Sequence, residues 1–126
     1  MDVRLEQSLV RLGALLEDAE QPWWIIGSVG VALHGGRPGQ IRDIDVILGY
    51  ADAQRYFRRL SLSNLAFTND PLFRSDLFGR WTDTPVEIEL MAGLKVKTAD
   101  GWQPLSIRSR EEVGFGLFVP SPPTNA

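Results

Sequence analysis

Residues 23–48, WWIIGSVGVALHGGRPGQIRDIDVIL, contain two apolar runs separated by a glycine-rich connection, and the second run carries two aspartates. The first run, Trp23 to Ile26, is typical of a buried strand, and the second, Ile41 to Leu48, is predicted to be another strand. Because successive strand residues point to opposite faces, Asp43 and Asp45 share one face while their apolar neighbours point into the core. Two carboxylates held side by side favour a hard divalent cation.

The connection between the two strands begins with a Gly-Ser turn. Gly27 and Ser28 turn the chain, and Val29 to His34 are predicted to form a short helix. Gly35 and Gly36 can adopt the positive φ of a helix C-terminus, and the loop after them leads into the second strand. This order places the two aspartates one short helix after the Gly-Ser turn.

Helical patterns lie on both sides of this stretch. Before it, leucines recur at helical spacing and predict an amphipathic helix whose apolar residues are Leu5, Leu9, Leu12, Leu15 and Leu16. After it, residues 51–60 (ADAQRYFRRL) predict a second helix, which Asp52 is expected to cap. Near the end of the chain, Arg108 to Glu112 could open a short helix.

A second acidic pair lies on a later strand. Val86 to Met91 alternates cleanly, so its apolar residues face one way while Glu87 and Glu89 face the other. Further on, Leu94 to Thr98 and Gln103 to Ile107 resemble two strands joined at an Asp-Gly turn, which predicts a hairpin. The alternation alone does not decide between the two glutamates.

Length and composition limit the kind of protein to which these residues can belong. The chain has 126 residues, 44% of them hydrophobic, and this predicts a single domain over residues 1–118 and a flexible Pro-rich tail over 119–126. Cysteine is absent, which excludes disulfides, thiolate zinc sites and a cysteine nucleophile. No apolar run approaches the length of a membrane span, so we expect a soluble, cytoplasmic protein without membrane contact.

The order of helices and strands predicts an α+β fold in which helices pack on one face of a mixed sheet. The Gly-Ser turn, the D-x-D pair and the later acidic residue on an apolar strand resemble the DNA polymerase β-like nucleotidyltransferase superfamily. The sequence GSVGVALHGGRPGQIRDIDVIL most resembles the branch of AbiEii-type toxins and lincosamide nucleotidyltransferases. The resemblance covers roughly Trp23 to Gly93 and implies a minimal nucleotidyltransferase fold.

The resemblance also implies roles for particular residues. Gly27 and Ser28 match the turn that binds the triphosphate of the nucleotide, and the free amides and dipole at a helix start favour an anion there. Asp43 and Asp45 match two catalytic, metal-binding carboxylates, and Glu89 is the expected third, with Glu87 as the alternative. Arg37 in the loop and Lys95 on a later strand are the expected additional phosphate contacts.

These roles imply a nucleotidyltransferase that uses Mg²⁺ or Mn²⁺ to move a nucleoside monophosphate from a nucleoside triphosphate, such as ATP, to a hydroxyl acceptor. The acceptor is left open among RNA, a protein and a small molecule. An alternative interpretation is a non-catalytic or antitoxin-like protein that keeps the fold and acts through a partner. Because family members usually add a helical segment over the nucleotide, we expect a homodimer or a separate helical partner to supply it.

Overall fold

A computed structural model of the chain describes residues 2–27, 41–66, 73–104, 110–112 and 118–120. These residues contain two helices, α1 (Val3–Leu16) and α2 (Tyr50–Arg59). Their strands are β1 (Trp24–Ile26), β2 (Asp43–Ile47), β3 (Phe73–Arg74), β4 (Leu77–Trp81), β5 (Glu87–Ala92), β6 (Lys95–Thr98), β7 (Gly101–Pro104), β8 (Arg110–Glu112) and β9 (Phe118–Pro120). None of the helices in the described ranges is long and apolar enough to span a membrane.

The main sheet has four strands in the order β1-β2-β5-β4. The central pair, β2 and β5, is parallel, and each edge strand pairs antiparallel to its neighbour. Strands β3, β6 and β7 form a second sheet, and β8 pairs with β9. The mixed sheet and the two helices confirm the predicted α+β class.

Both helices pack on the same face of the main sheet because their apolar stripes match its buried side chains. The predicted leucines of α1 are all buried, and Tyr56 and Phe57 of α2 join them. The sheet contributes alternate residues to this core, namely Ile25, Ile44, Val46, Trp81, Ile88 and Leu90. Each such side chain contributes roughly 1.5–3 kcal/mol when it is fully buried. The opposite face of the central strands carries the acidic residues.

Gly79 lets α2 lie close to the edge strand β4. A Cβ atom at this position would lie 2.7 Å from Cζ of Phe57, closer than packed carbon atoms approach. The missing side chain of Gly79 therefore makes the space that the Phe57 ring occupies.

Helix α1 is also tied to the segment that leads into β5. The Ser8 hydroxyl accepts a hydrogen bond from the Val86 amide at 2.8 Å, and the Arg4 guanidinium donates to the Pro85 carbonyl at 2.6 Å. Arg11 donates to the carbonyl of Asp83. These contacts fix where β5 enters the sheet.

Asp52 is not the cap of α2. The helix begins at Tyr50, with Gly49 at the N-cap position, and Asp52 lies fully buried in the first turn. Its carboxylate accepts hydrogen bonds from the amides of Glu20 and Gln21 and from the Arg55 guanidinium. Burial raises the pKa of Asp52, but these hydrogen bonds outweigh it and hold the pKa below its usual value. The residue therefore links α2 to the chain after α1.

Replacing Asp52 with alanine should destabilise the fold by about 1–3 kcal/mol, because the amides of Glu20 and Gln21 and the Arg55 guanidinium would lose their shared acceptor. Urea unfolding at neutral pH measures the change. Glu17→Ala, at the exposed end of α1, is the matched control and should change stability little. Equal stabilities of the two variants would contradict the assigned role.

The end of the chain differs from the sequence prediction. Residues 110–112 form strand β8 and not a helix, because they pair with β9 across a register that aligns Arg110 with Pro120. Strand β9 reaches two residues into the predicted tail, and residues 121–126 lie outside the described ranges. The β6–β7 hairpin is confirmed, with β7 beginning at Gly101. The predicted helix at 29–34 and Gly35-Gly36 lie outside the described residues.

Candidate active site

Three carboxylates meet on the face of the sheet opposite the helices. Asp43 and Asp45 lie on β2 and Glu89 on β5, and one oxygen from each lies within 4.8 Å of the others. The parallel register pairs Asp45 with Glu89 and Asp43 with Glu87. Glu87 is outside this group of three, so the geometry favours Glu89 as the third member. All three residues are half-buried.

The close approach of these carboxylates makes their negative charge costly. Burial, a hydrogen bond with Asp45 and repulsion from Asp45 and Asp43 raise the pKa of Glu89 to about 8. Burial and the charge of Asp43 likewise raise the pKa of Asp45. A divalent cation would offset the repulsion, and three carboxylates are the oxygen donors that Mg²⁺ and Mn²⁺ prefer. The three residues therefore fit a hard metal ion.

Gly27 follows β1 directly and lies against Asp45. Its φ is +74°, a backbone conformation that residues other than glycine rarely adopt. A Cβ atom at this position would lie 2.8 Å from Oδ2 of Asp45. Both the backbone conformation and the limited space beside the carboxylate therefore favour glycine. Ser28 and Arg37 lie outside the described residues.

A cleft of about 560 Å³ opens in front of the carboxylates. Its described lining consists of Ile26, Gly27, Asp45, Phe73, Arg74, Ser75, Phe78, Arg80, Glu89, Met91 and Leu94. The sheet register aligns four of these, Ile26, Asp45, Glu89 and Arg80, in one row across β1, β2, β5 and β4. The acidic pair therefore occupies the middle of the row, with an arginine at one end.

Neither arginine of this cleft was predicted from the sequence. Arg80 Nε lies 3.9 Å from Oε1 of Glu89, and the Arg74 guanidinium stacks 4.1 Å from the ring centre of Trp102. The strand sequence LFGRW places Phe78 and Arg80 on one face by alternation, and this pattern could have identified Arg80. The predicted Lys95 lies on β6, with its Nζ 3.4 Å from Asp76 Oδ1.

Comparisons with known proteins agree with this geometry. The sequence model of a family described as aminoglycoside-2''-adenylyltransferase matches residues 8–90, a region that contains all three carboxylates. The structure resembles the crystal structure of a candidate nucleotidyltransferase from Thermotoga maritima, with a TM-score of 0.76 and 24% identity. That similarity covers 93% of this chain and 77% of the other, and it shows a shared fold. No curated protein matches the sequence.

Proposed function

Because the chain belongs to the aminoglycoside-2''-adenylyltransferase family, within the nucleotidyltransferase superfamily, we propose that it catalyses Mg²⁺-dependent nucleotidyl transfer. The reaction moves a nucleoside monophosphate from a nucleoside triphosphate to a hydroxyl acceptor. The observation that carries the proposal is the group Asp43, Asp45 and Glu89, whose oxygens lie within 4.8 Å of one another beside the Gly27 turn. The closer relationship to AbiEii-type toxins stays a prediction.

The three carboxylates would hold Mg²⁺ or Mn²⁺. When bound, the metal polarises the triphosphate and stabilises charge on the attacking and leaving oxygens. The acceptor oxygen forms a bond to the α-phosphorus, the bond from the α-phosphorus to the bridging oxygen breaks, and pyrophosphate leaves. Glu89 accepts the proton of the acceptor hydroxyl or orients that hydroxyl for attack.

The Gly27 turn is the proposed triphosphate site. The absence of a side chain at Gly27 lets backbone amides approach a phosphate closely, and Ser28 is the proposed second contact. Arg37 stays a candidate phosphate ligand. Lys95 can take the same role only if its ammonium leaves the exposed Asp76 carboxylate, and an exposed pair of this kind is worth about 1 kcal/mol or less.

A thermal-shift panel of the four ribonucleoside triphosphates, with and without Mg²⁺, tests this function. A ligand that binds only the folded state stabilises it by about 2.7 kcal/mol at a hundred times its Kd. We expect the largest stabilisation when a triphosphate and Mg²⁺ are both present, and its loss with EDTA. No stabilisation by any pair would contradict the proposal. Binding without pyrophosphate release for any acceptor would instead favour the non-catalytic, antitoxin-like alternative.

Gly27→Val should eliminate nucleotide binding at a modest cost in stability. The new Cβ would displace the Asp45 carboxylate, and a β-branched side chain is strained at positive φ. Gly101→Val is the matched control because Gly101 also has a positive φ, +103°, but has no atoms within 4 Å of a new Cβ. Titration with Mg²⁺ and triphosphate should show binding in the control and none in Gly27→Val. Normal binding by Gly27→Val would place the triphosphate elsewhere.

We further propose that a second polypeptide closes the site. The described residues after Gly93 form strands and turns, so none of them supplies a helix over the cleft. A second copy of the chain is the simplest source, and a separate helical protein is the alternative. Light scattering after size exclusion should give about twice the 14.1 kDa mass of the chain. A monomer that binds and turns over nucleotide unaided would contradict this expectation.

A further inference from the structure

The cleft differs chemically between its two ends. Adjacent strands lie about 4.8 Å apart, so the row Ile26, Asp45, Glu89 and Arg80 spans roughly 14 Å. The proposed function, on which this inference rests, puts the triphosphate at the end near Gly27. The β4 end, which carries Arg80, then lies on the far side of the carboxylates from the triphosphate. This is the side from which an acceptor can reach Glu89.

The β4 end combines positive charge with an apolar wall. Arg80 and Phe78 lie on β4 itself, and Arg74, Phe73 and Leu94 also line the same cleft. Among the described residues that line the cleft, the acidic ones are only Asp45 and Glu89. A ligand beside β4 therefore meets guanidinium and aromatic side chains and, among the described lining residues, no carboxylate beyond those assigned to the metal.

The guanidinium of Arg80 has hydrogen-bonding capacity to spare. Its side chain is 52% exposed, and its distance of 3.9 Å to Glu89 is too long for a hydrogen bond. Within the described part of the chain, the arginine side chains that donate hydrogen bonds are those of Arg4, Arg11, Arg55 and Arg59, and the guanidinium groups of Arg74 and Arg80 are not among them. When Glu89 binds a cation, its attraction for Arg80 falls, because the metal neutralises the carboxylate charge. Arg80 can then turn to an anionic ligand.

We propose that the β4 end is the acceptor subsite and that it takes a phosphate-bearing hydroxyl compound with a planar or apolar ring. The Arg80 fork matches a phosphate bidentately, and the ring packs on Phe73 and Phe78. A polycationic amino sugar, the acceptor in the family's name, would place ammonium groups against Arg74 and Arg80. Repulsion between these like charges disfavours such an acceptor. This chain therefore departs from that family in acceptor charge.

The test measures acceptor binding with the nucleotide site already filled. The protein is saturated with Mg²⁺ and an α,β-methylene nucleoside triphosphate, which cannot release pyrophosphate, and three probes are titrated by calorimetry. The probes are a ribonucleoside 5′-monophosphate, the same ribonucleoside without phosphate, and kanamycin as the polycation. We expect the monophosphate to bind at least about tenfold more tightly than either of the others, as one charge-assisted contact predicts.

The matched variants are Arg80→Gln and, as control, Arg58→Gln, which alters an exposed arginine on α2. Arg80→Gln should weaken monophosphate binding about tenfold or more, leave ribonucleoside binding unchanged, and be partly rescued by Arg80→Lys. Arg58→Gln should change neither. If wild type bound kanamycin more tightly than the monophosphate, the proposal would be overturned. The same holds if Arg80→Gln lost equal affinity for the monophosphate and for the ribonucleoside. Weaker binding of the triphosphate analogue itself in Arg80→Gln would also overturn it, because Arg80 would then belong to the nucleotide site.

Two further results keep this inference separate from the proposed function. If the wild-type protein does not bind the Mg²⁺–triphosphate analogue, the proposed function fails, and with it the premise of the subsite. If the analogue binds and the monophosphate has no advantage, the subsite fails while the proposed function stands. A tetraribonucleotide with the same terminal base distinguishes the source of the phosphate: tighter binding than the monophosphate supports a strand end, and weaker binding supports a free nucleotide.

Discussion

Replacing Asp45 with asparagine is expected to abolish Mg²⁺-dependent nucleotide binding and nucleotidyl transfer while leaving the fold intact. Asp45 faces Glu89 in the register and lies against Gly27, so it contacts both the proposed metal site and the proposed triphosphate turn. Asparagine keeps the volume of the side chain but removes its charge. A metal ion at the proposed site would supply several kcal/mol of transition-state stabilisation, so we expect the rate to fall about a thousandfold or more.

A Mn²⁺ titration monitored by electron paramagnetic resonance measures the loss of metal binding directly, without requiring turnover. Asp43→Asn should behave like Asp45→Asn because the two carboxylates belong to the same group. Glu87→Gln, on the neighbouring strand but outside that group, is the control and should bind Mn²⁺ almost normally. Unchanged Mn²⁺ affinity in both aspartate variants would refute the proposed site.

Glu89→Gln should lower turnover by at least about a hundredfold, as expected when a general base or metal ligand is removed. The same change should stabilise the metal-free protein above neutral pH. The pKa of Glu89 is raised from 4.5 to about 8 in the folded state. Its contribution to stability is therefore fully present below pH 4.5 and is lost as the pH rises through 8. Glutamine cannot ionise, so this loss disappears.

Thermal unfolding in EDTA from pH 4 to 9 measures this second effect. Wild type should lose stability across the window between the two pKa values, and Glu89→Gln should give a flatter profile. Glu87→Gln should keep the wild-type profile and most of the turnover. If Glu87→Gln instead lost more activity than Glu89→Gln, the role assigned to Glu89 would belong to Glu87.

The central strands of the site could be predicted from the sequence because their patterns are local. Alternation placed Asp43 and Asp45 on one face of β2, and the structure confirms that Ile44 and Val46 are buried on the other. By the same alternation, Glu87 and Glu89 on β5 are equivalent. Only the three-dimensional arrangement separates them, because the group whose oxygens lie within 4.8 Å of one another contains both aspartates and Glu89 but not Glu87.

Other parts of the fold depend on residues that are distant in the sequence. Strand β4 was missed because Gly79 interrupts its apolar pattern, and the reason for that glycine is the Phe57 ring on another element. Arg80 was missed with it. Asp52 was predicted to cap α2, whereas its carboxylate accepts hydrogen bonds from the amides of Glu20 and Gln21, which precede β1. A single sequence carries no signal for such contacts, since each partner satisfies its own local pattern.

The parallel pairing of β2 with β5 has a consequence for how the protein folds. The helix α2 and strands β3 and β4 lie between the paired strands in sequence, so this contact closes a long loop and carries a large entropic cost. During synthesis β2 leaves the ribosome well before β5, and its two aspartates then have no third carboxylate beside them. A metal ion that needs all three carboxylates can stabilise the finished fold, but it cannot nucleate it.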